Sequence, residues 1–475
     1  MKTIAVVITA TLALALTGCF AKIQQLPAYP DTKISVFAPL ADQETLVGLA
    51  VSGGGSRAAT FAAGALEALA EIRIMREGKE RSALETVTHM SSVSGGSLAT
   101  AYFASKKPAK SEVVLAGQGL SPVYREFFTT FKEDMQKNFQ LQALVRQLVK
   151  FRVANPTKFA YSFADVWDGS FFDGMTFTGL YERERRGDAP QIILNGTIYN
   201  TGRRLVLTTL PPSDFAYDFT QELRAKLVAK GQQFTPEGRA SFDKSVERAK
   251  NQFLPQTFQD LQMDHRGLPI SLAVVTSASF PPVVGPVTYQ VTGANTYTHV
   301  GDGGLYDNLG TESLTTLFLN KLRPNHSAAK RALILVIDAS FPFDEGDANL
   351  NNNEKGFEVF ADDPSRIVGI MEERANAYQA MLWHSLRTEG TLLPDYDHLK
   401  LIILRHTEAE WTKEDPIPEG CPKTLTPDEI KRTVRQVPTL FKIENRCHAA
   451  LLIASAHKVV AKQRQRIVAF LQQSS

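Results

Sequence analysis

The chain has 475 residues, with 52 Lys and Arg against 50 Asp and Glu, a formal net charge of +2, and a hydrophobic fraction of 43%. So balanced a charge gives no electrostatic footprint for nucleic acid, and the hydrophobic fraction is that of an ordinary globular protein. The length allows one large embellished domain or two to three smaller ones.

The N-terminus reads as a targeting segment. Met1-Lys2 is a short basic start, and Ile4 to Leu16 is an uncharged stretch of 13 residues, too short to span a bilayer comfortably. It ends in Leu16-Thr17-Gly18-Cys19, which resembles the lipobox of bacterial lipoproteins. That resemblance implies a signal peptide over 1–18 and lipidation of Cys19 as the mature N-terminus, a firm membrane anchor. The aspartate that marks inner-membrane retention in Gram-negative lipoproteins is absent after Cys19, where Phe20 stands. The expected location is therefore the bacterial cell envelope, on the periplasmic face of the outer membrane. No later stretch is long and apolar enough to cross a membrane. Cys421 and Cys447 then remain, either as one disulfide in an oxidising compartment or as two free thiols in a reducing one. They make a poor metal site, and no cofactor is expected.

Residues 19–45, with Pro27, Pro30 and Pro39, read as a tether. Leu46 to Val51 reads as a buried strand and Ala58 to Ile72 as a helix. Thr86 to Val93 reads as a strand, and Leu98 to Ser105 as a helix. Residues 109–186 look like a helical insertion, with Phe127, Phe128, Phe131, Phe139, Leu141, Leu144, Val145 and Leu148 at helix-compatible positions. Such an insertion is either core packing or a lid facing a membrane, and core packing is the preferred reading. Strands are expected at Gln191 to Thr197, Leu205 to Thr209, Ile270 to Thr276, Tyr297 to Val300, Leu333 to Ile337 and Leu399 to Leu404. Phe219 to Leu261 reads as polar helix broken by Pro236. Pro364 to Leu386 and Ala449 to Leu471 read as helices, and Asp344 to Gly356 as a loop. Alternating strands and helices imply an α/β sandwich on a mostly parallel sheet.

The chemistry begins at Val51-Ser-Gly-Gly-Gly-Ser-Arg-Ala58, three glycines between a strand and a helix. That arrangement makes a nest of backbone N–H groups suited to negative charge. A Walker phosphate loop is excluded because no Lys-Ser or Lys-Thr follows. A dinucleotide site fits Gly53-x-Gly55-x-x-Ala58, but needs an acidic strand end about 20 residues on. Met75 to Glu80 reads there as a charged loop. The remaining reading is an oxyanion hole, which needs a nucleophile on a sharp strand-to-helix turn. Ser92-Val93-Ser94-Gly95-Gly96 provides one, because a crowded elbow needs small residues two before and two after the serine. Ser94 also sits at a helix N-terminus, whose dipole favours a developing alkoxide. Gly301-Asp302-Gly303-Gly304 supplies a carboxylate that its glycines leave accessible.

These pieces resemble the patatin-like phospholipases and the related cytosolic phospholipases. The resemblance rests on four islands in order: Ser52 to Arg57, the elbow at Ser94, Ser277-Ala-Ser-Phe-Pro-Pro282, and Asp302-Gly-Gly-Leu-Tyr-Asp-Asn-Leu-Gly310. It implies a three-layer α/β sandwich with a mostly parallel central sheet, a helical insertion and a C-terminal helical extension. The catalytic domain would span 46–345 and the extension 346–475, packed on it. It implies a Ser94–Asp302 dyad acting on carboxylic esters, with the N–H groups of Gly53, Gly54 and Gly55 as the oxyanion hole. Arg57 would bind a phospholipid phosphate or brace the loop. The expected substrate is a lipid ester, in first place a phospholipid.

Alternatives stand beside this. His89 or His299 would complete a triad in place of the dyad. Asp307 competes with Asp302 and is read as a turn stabiliser, and Ser56, Ser97 and Ser279 as caps or turn formers. The enzyme reading has a thioesterase or general carboxylesterase as its variant. A catalytically silent lipoprotein that binds lipids or partners is the reading of another class.

Overall fold

The computed structural model describes residues 22–29, 34–76, 78–150, 152, 158–217, 235–280, 284–323, 325–340, 377 and 398–472. In chain order the strands and helices are β1 (Ile23–Leu26), β2 (Thr45–Val51), α1 (Gly55–Glu71), β3 (Arg73–Arg76), β4 (Lys79–Ser82), β5 (His89–Ser92), α2 (Gly95–Lys106), β6 (Leu115–Ala116), β7 (Gly119–Leu120), α3 (Pro122–Met135), α4 (Phe139–Val149), α5 (Phe159–Trp167) and α6 (Phe177–Arg186). The second half adds β8 (Gln191–Ile198), β9 (Arg203–Thr208), α7 (Pro236–Phe253), β10 (Gln256–Thr257), α8 (Ile270–Ser277), β11 (Val287–Val291), β12 (Tyr297–Asp302), α9 (Thr311–Lys321), β13 (Arg331–Asp338), β14 (Leu399–Arg405), α10 (Pro427–Gln436) and α11 (Arg446–Gln472).

One large sheet runs β1-β11-β12-β8-β5-β2-β13-β14, with β9 and β10 attached through β8. The β8-β5-β2-β13-β14 run is parallel throughout, while β9, β11 and β12 bring in the antiparallel pairings. Strand alternation sorts its side chains into two cores. Val47, Leu49 and Val51 of β2 join Leu333, Leu335 and Ile337 of β13 on one face. Leu46 and Ala50 join Ala332, Ile334 and Val336 on the other, beneath Leu314, Leu317 and Phe318 of α9. Helices therefore cover both faces of a mostly parallel sheet, which is the expected three-layer class.

Helix α1 is rich in alanine because it is sandwiched. All but its last residue are buried, and α11 lies close along it: a Cβ on Gly64 would meet the Ala456 Cβ and the Ile453 Cα at 3.1 Å. Larger side chains would push the two helices apart. In the insertion, Phe128, Phe131, Phe139 and Phe171 are fully buried, with Tyr102 stacked on Phe131 at 4.6 Å between centroids. That part of the insertion is core.

Several expectations are corrected. The stretch read as a tether contains β1, an edge strand paired in parallel with β11 through Ile23↔Thr288 to Leu26↔Val291. Its Ile-Gln-Gln-Leu sequence is half-solvated, so it carries no apolar run. Ile270 to Thr276, read as a strand, is the buried helix α8. A short run apolar on every side has no period to distinguish the two, and Pro269 at its N-cap starts a helix. Met75 to Glu80 lies on the β3–β4 hairpin instead of a plain loop. Pro236 opens α7, with the Thr235 hydroxyl accepting from the Gly238 N–H at 3.1 Å, and the part of that helical reading before residue 235 lies outside the described residues. The expectations for 1–18, Cys19, Asp344 to Gly356 and Pro364 to Leu386 lie outside the described residues.

Candidate active site

The site is built where two strands meet end to end. β9 takes one edge of β8 along Ile193–Ile198. The other edge is shared: β5 pairs with it through Ser92↔Leu194, and β12, running the opposite way, through Asp302↔Gly196. The C-terminal ends of β5 and β12 thus point at each other across Asn195. Ser94 lies just past the first end, and Asp302 is the second. Asn195 holds the junction. Its Nδ2 donates to the Ser91 Oγ and to the Ser92 carbonyl, both at 2.9 Å, and its own carbonyl accepts from the Ser277 hydroxyl at 2.5 Å.

Ser94 has φ 52° and ψ −121°, a backbone state that costs a non-glycine residue on the order of 1–3 kcal/mol. The surroundings hold it there. Its N–H donates to the carbonyl and to the hydroxyl of Ser277, each at 3.2 Å. The two following glycines permit the turn because nothing larger fits. A Cβ on Gly95 would lie 1.9 Å from the Gly55 carbonyl oxygen, and one on Gly96 2.5 Å from that of Ser52. The elbow and the glycine loop are therefore packed backbone against backbone.

Asp302 is buried, and burial pushes its carboxyl up to about 7. Two hydrogen bonds oppose that rise: Oδ1 accepts from the Gly304 N–H at 2.8 Å, and the Ser94 side chain is the other partner. The Asp302 main chain is fixed on both sides, its N–H donating to the Ser279 carbonyl at 3.0 Å and its carbonyl accepting from Thr197 Oγ1 at 2.8 Å. A Cβ on Gly303 would lie 2.4 Å from the Asn195 carbonyl, so this glycine is required for the strand end to reach the junction.

In the glycine loop, Gly53 departs from expectation. Its N–H donates to the Asn308 carbonyl at 2.9 Å, so it is committed to the fold and not open to an oxyanion. Gly54 (φ 136°) and Gly55 (φ 58°) both have positive φ, a Cβ on Gly55 would lie 2.4 Å from the Leu440 carbonyl oxygen, and their N–H groups have no partner among the described residues. Ser56 N–H donates to the Leu440 carbonyl at 2.7 Å. Arg57 is fully buried, with Nε donating to the Ala339 carbonyl (2.8 Å), Nη1 to the Val437 carbonyl (2.6 Å) and Nη2 to Thr439 Oγ1 (3.0 Å). That is bracing geometry: the guanidinium is turned into the C-terminal segment. Cys421 and Cys447, which flank that segment, form a disulfide.

The histidines stand apart. His89 begins β5, five residues and roughly 16 Å of strand before Ser94. It is buried against Phe318, and burial holds it down at about 3. His299 is an odd number of residues from Asp302 on the same strand and faces away, its Nδ1 2.9 Å from Thr288 Oγ1. Asp307 is buried and accepts from the N–H groups of Leu309, Gly310 and Glu312, fastening the turn into α9. Ser97 Oγ lies 2.8 Å from Ser277 Oγ, and Ser279 Oγ donates to the Val275 carbonyl. Sequence reasoning missed Asn195 and the 437–441 segment. Of these only Asn195 left a signal, as a lone asparagine in an apolar strand.

A family model described as patatin-like phospholipase matches residues 49–315. The chain belongs to the patatin-like phospholipase family. Among solved structures, this family member is similar to human GIVD cytosolic phospholipase A2, at TM-score 0.45 and 12% identity over 90% of this chain and 60% of that one. It is also similar to that enzyme in complex with methyl gamma-linolenyl fluorophosphonate, at TM-score 0.40 and 14% identity over 90% of this chain and 59% of that one. The chain thus spans about 60% of the length of the solved structures it matches. No curated protein matches it.

Proposed function

We propose that this patatin-like protein is a serine acyl hydrolase that cleaves lipid esters with a Ser94–Asp302 dyad. The observation that carries the reading is the meeting of a strained, positive-φ Ser94 with a buried Asp302. A carboxyl near 7 can both take and return a proton at neutral pH. Ser94 Oγ attacks the ester carbonyl carbon while Asp302 takes its proton. The N–H groups of Gly54 and Gly55 receive the oxyanion. Collapse breaks the bond to the alkoxy oxygen, and Asp302 returns the proton to the leaving alcohol. Water, losing a proton to Asp302, then attacks the acyl-enzyme, and Ser94 recovers its proton as the fatty acid leaves.

The preferred substrate class is phospholipid. The lipid anchor at Cys19 belongs to the same proposal, with the outer-membrane periplasmic face as its setting. The test is a lipid panel hydrolysed by wild type, Ser94→Ala and Asp302→Asn. Loss of turnover in both variants with native-like unfolding supports the dyad, and wild-type turnover in either one rejects it. Labelling by a fluorophosphonate that requires Ser94 separates an enzyme from a silent binding protein.

A further inference from the structure

Helix α4 is amphipathic the wrong way round. It buries Phe139, Ala143 and Gln147. Gln147 is held inward by the Ser162 hydroxyl at 2.6 Å and by its own bond to the Arg152 carbonyl at 2.7 Å. Its outward stripe is Leu141, Leu144, Val145, Leu148 and Val149, each 50–63% exposed. The spacing i, i+3, i+4, i+7 and i+8 makes this one continuous apolar face. Among the described residues, no other helix presents such a row of exposed large hydrophobics. Leu141, Val145 and Val149 also line an open groove of about 460 Å³ against Val166.

Charge and chain path say what covers this face. From Gln136 to Ala164 the sequence has Lys137, Arg146, Lys150, Arg152 and Lys158 and no acidic residue. Lys22 joins them: its ammonium lies 3.9 Å from the Tyr161 ring centroid, and its pKa is lowered first by burial and then by Arg152, Lys150 and Lys158 nearby. Asp165 pairs with Arg152 at 3.0 Å and Asp134 with Lys137 at 2.6 Å, which leaves Arg146, Lys150 and Lys158 to carry the positive excess. Cys19 stands three residues before Lys22, at most about 11 Å of chain.

We propose that the apolar face of α4, bordered by Arg146 and Lys150 towards its C-terminal end, is where the protein lies on an anionic phospholipid bilayer. The helix enters the interface lengthwise, with leucine and valine side chains among the acyl chains and lysines and arginines at the headgroups. The face is joined to the glycine loop. The N–H groups of Phe139 and Gln140 donate to the Phe441 carbonyl, and the adjacent Leu440 carbonyl accepts from Ser56. The helix that would dock is therefore hydrogen-bonded to the segment that supports the proposed oxyanion donors. The consequence for turnover rests on the acyl-hydrolase reading; the docking itself does not.

The experiment places a tryptophan on the face, Leu144→Trp, in the full chain mixed with vesicles of phosphatidylcholine containing about 30% phosphatidylglycerol. Fluorescence is read against the unsubstituted chain with brominated lipid as quencher. Quenching at 144, and none for a tryptophan at Ser241 on exposed α7, is expected. A second arm combines Leu144→Glu with Leu148→Glu. Hydrolysis of vesicle phospholipid should fall at least tenfold, and hydrolysis of a water-soluble ester should stay within twofold. Absence of quenching, or equal effects on the two substrates, overturns the proposal. So does a concentration-dependent dimer that the glutamates dissolve, which would assign the face to a second copy. If neither ester is hydrolysed by the parent chain, the acyl-hydrolase reading fails while quenching still decides the docking.

Discussion

The Gly53 N–H donates to the Asn308 carbonyl oxygen at 2.9 Å, and a Cβ on Gly53 would lie 2.2 Å from Asn308 Oδ1. The first glycine of the loop and the turn after Asp302 are therefore one unit, which leaves Gly54 and Gly55 as the donors in the proposed mechanism. Gly53→Ala should lower kcat by about 100-fold, as displaced oxyanion donors do. The colliding atom is a side chain, so adding Asn308→Ala should restore most of the activity. A double variant no faster than Gly53→Ala would show that the collision is not the cause.

In the proposed dyad Asp302 must be ionised to accept the Ser94 proton, and burial pushes its carboxyl up to about 7. The kcat/KM for a soluble ester should fall about tenfold per pH unit below 7 and level off above it. Stability runs the other way. With the folded value above the unfolded one of about 3.9, the folded state holds the proton more tightly. This group's contribution is full below about pH 4 and is lost as pH rises to 7. Asp302→Asn should therefore unfold at a higher temperature than wild type at pH 8 and show no such gain at pH 4. A lower Tm at pH 8 would contradict the burial argument.

Arg57 separates bracing from phosphate recognition. Arg57→Met leaves the buried Ala339 and Val437 carbonyls without their donor, a loss of about 2–4 kcal/mol in denaturant unfolding. Activity of the folded fraction should drop by the same factor on phospholipid and on uncharged ester. A selective loss on phospholipid would instead place a phosphate at the guanidinium.

The Cys421–Cys447 bridge closes a loop of 26 residues in sequence separation, and that loop contains Val437, Thr439 and Leu440. Chain entropy sets its stabilisation at up to about 3.5 kcal/mol. Replacing both cysteines with alanine should lower stability by about 2–3.5 kcal/mol, and reductant should do the same to wild type only. Unchanged unfolding of wild type under reductant would show that the loop holds without the bond.

That Ser94, Asp302 and the glycine loop come together was legible because such close backbone approach demands small residues at fixed short spacings. Positive φ at Ser94 and the close approaches at Gly95, Gly96 and Gly303 are what those glycines serve. The supports were not legible. Val437 and Leu440 act through main-chain carbonyls about 380 residues from Arg57 and Ser56, and a carbonyl leaves no mark on residue type. The Gly53 error has the same root, since a run of three glycines does not say which N–H the fold already uses. α8 was misread because burial on every side erases the period. The insertion was half legible: its aromatics are core, but the same apolar series continues onto the outward face of α4.

The central place of β2, between β13 and β5, bears on how the protein can be divided. The family match begins inside β2 and stops before β13. A fragment cut to those bounds would keep every recognisable motif yet lose β1, β13, β14 and most of β2, baring an edge of the parallel sheet of the kind that aggregates. It would also lack the partners of Arg57 and Ser56. The smallest piece fit for production therefore runs from β1 through α11. In this protein a boundary drawn by resemblance is not a boundary at which the chain can be cut.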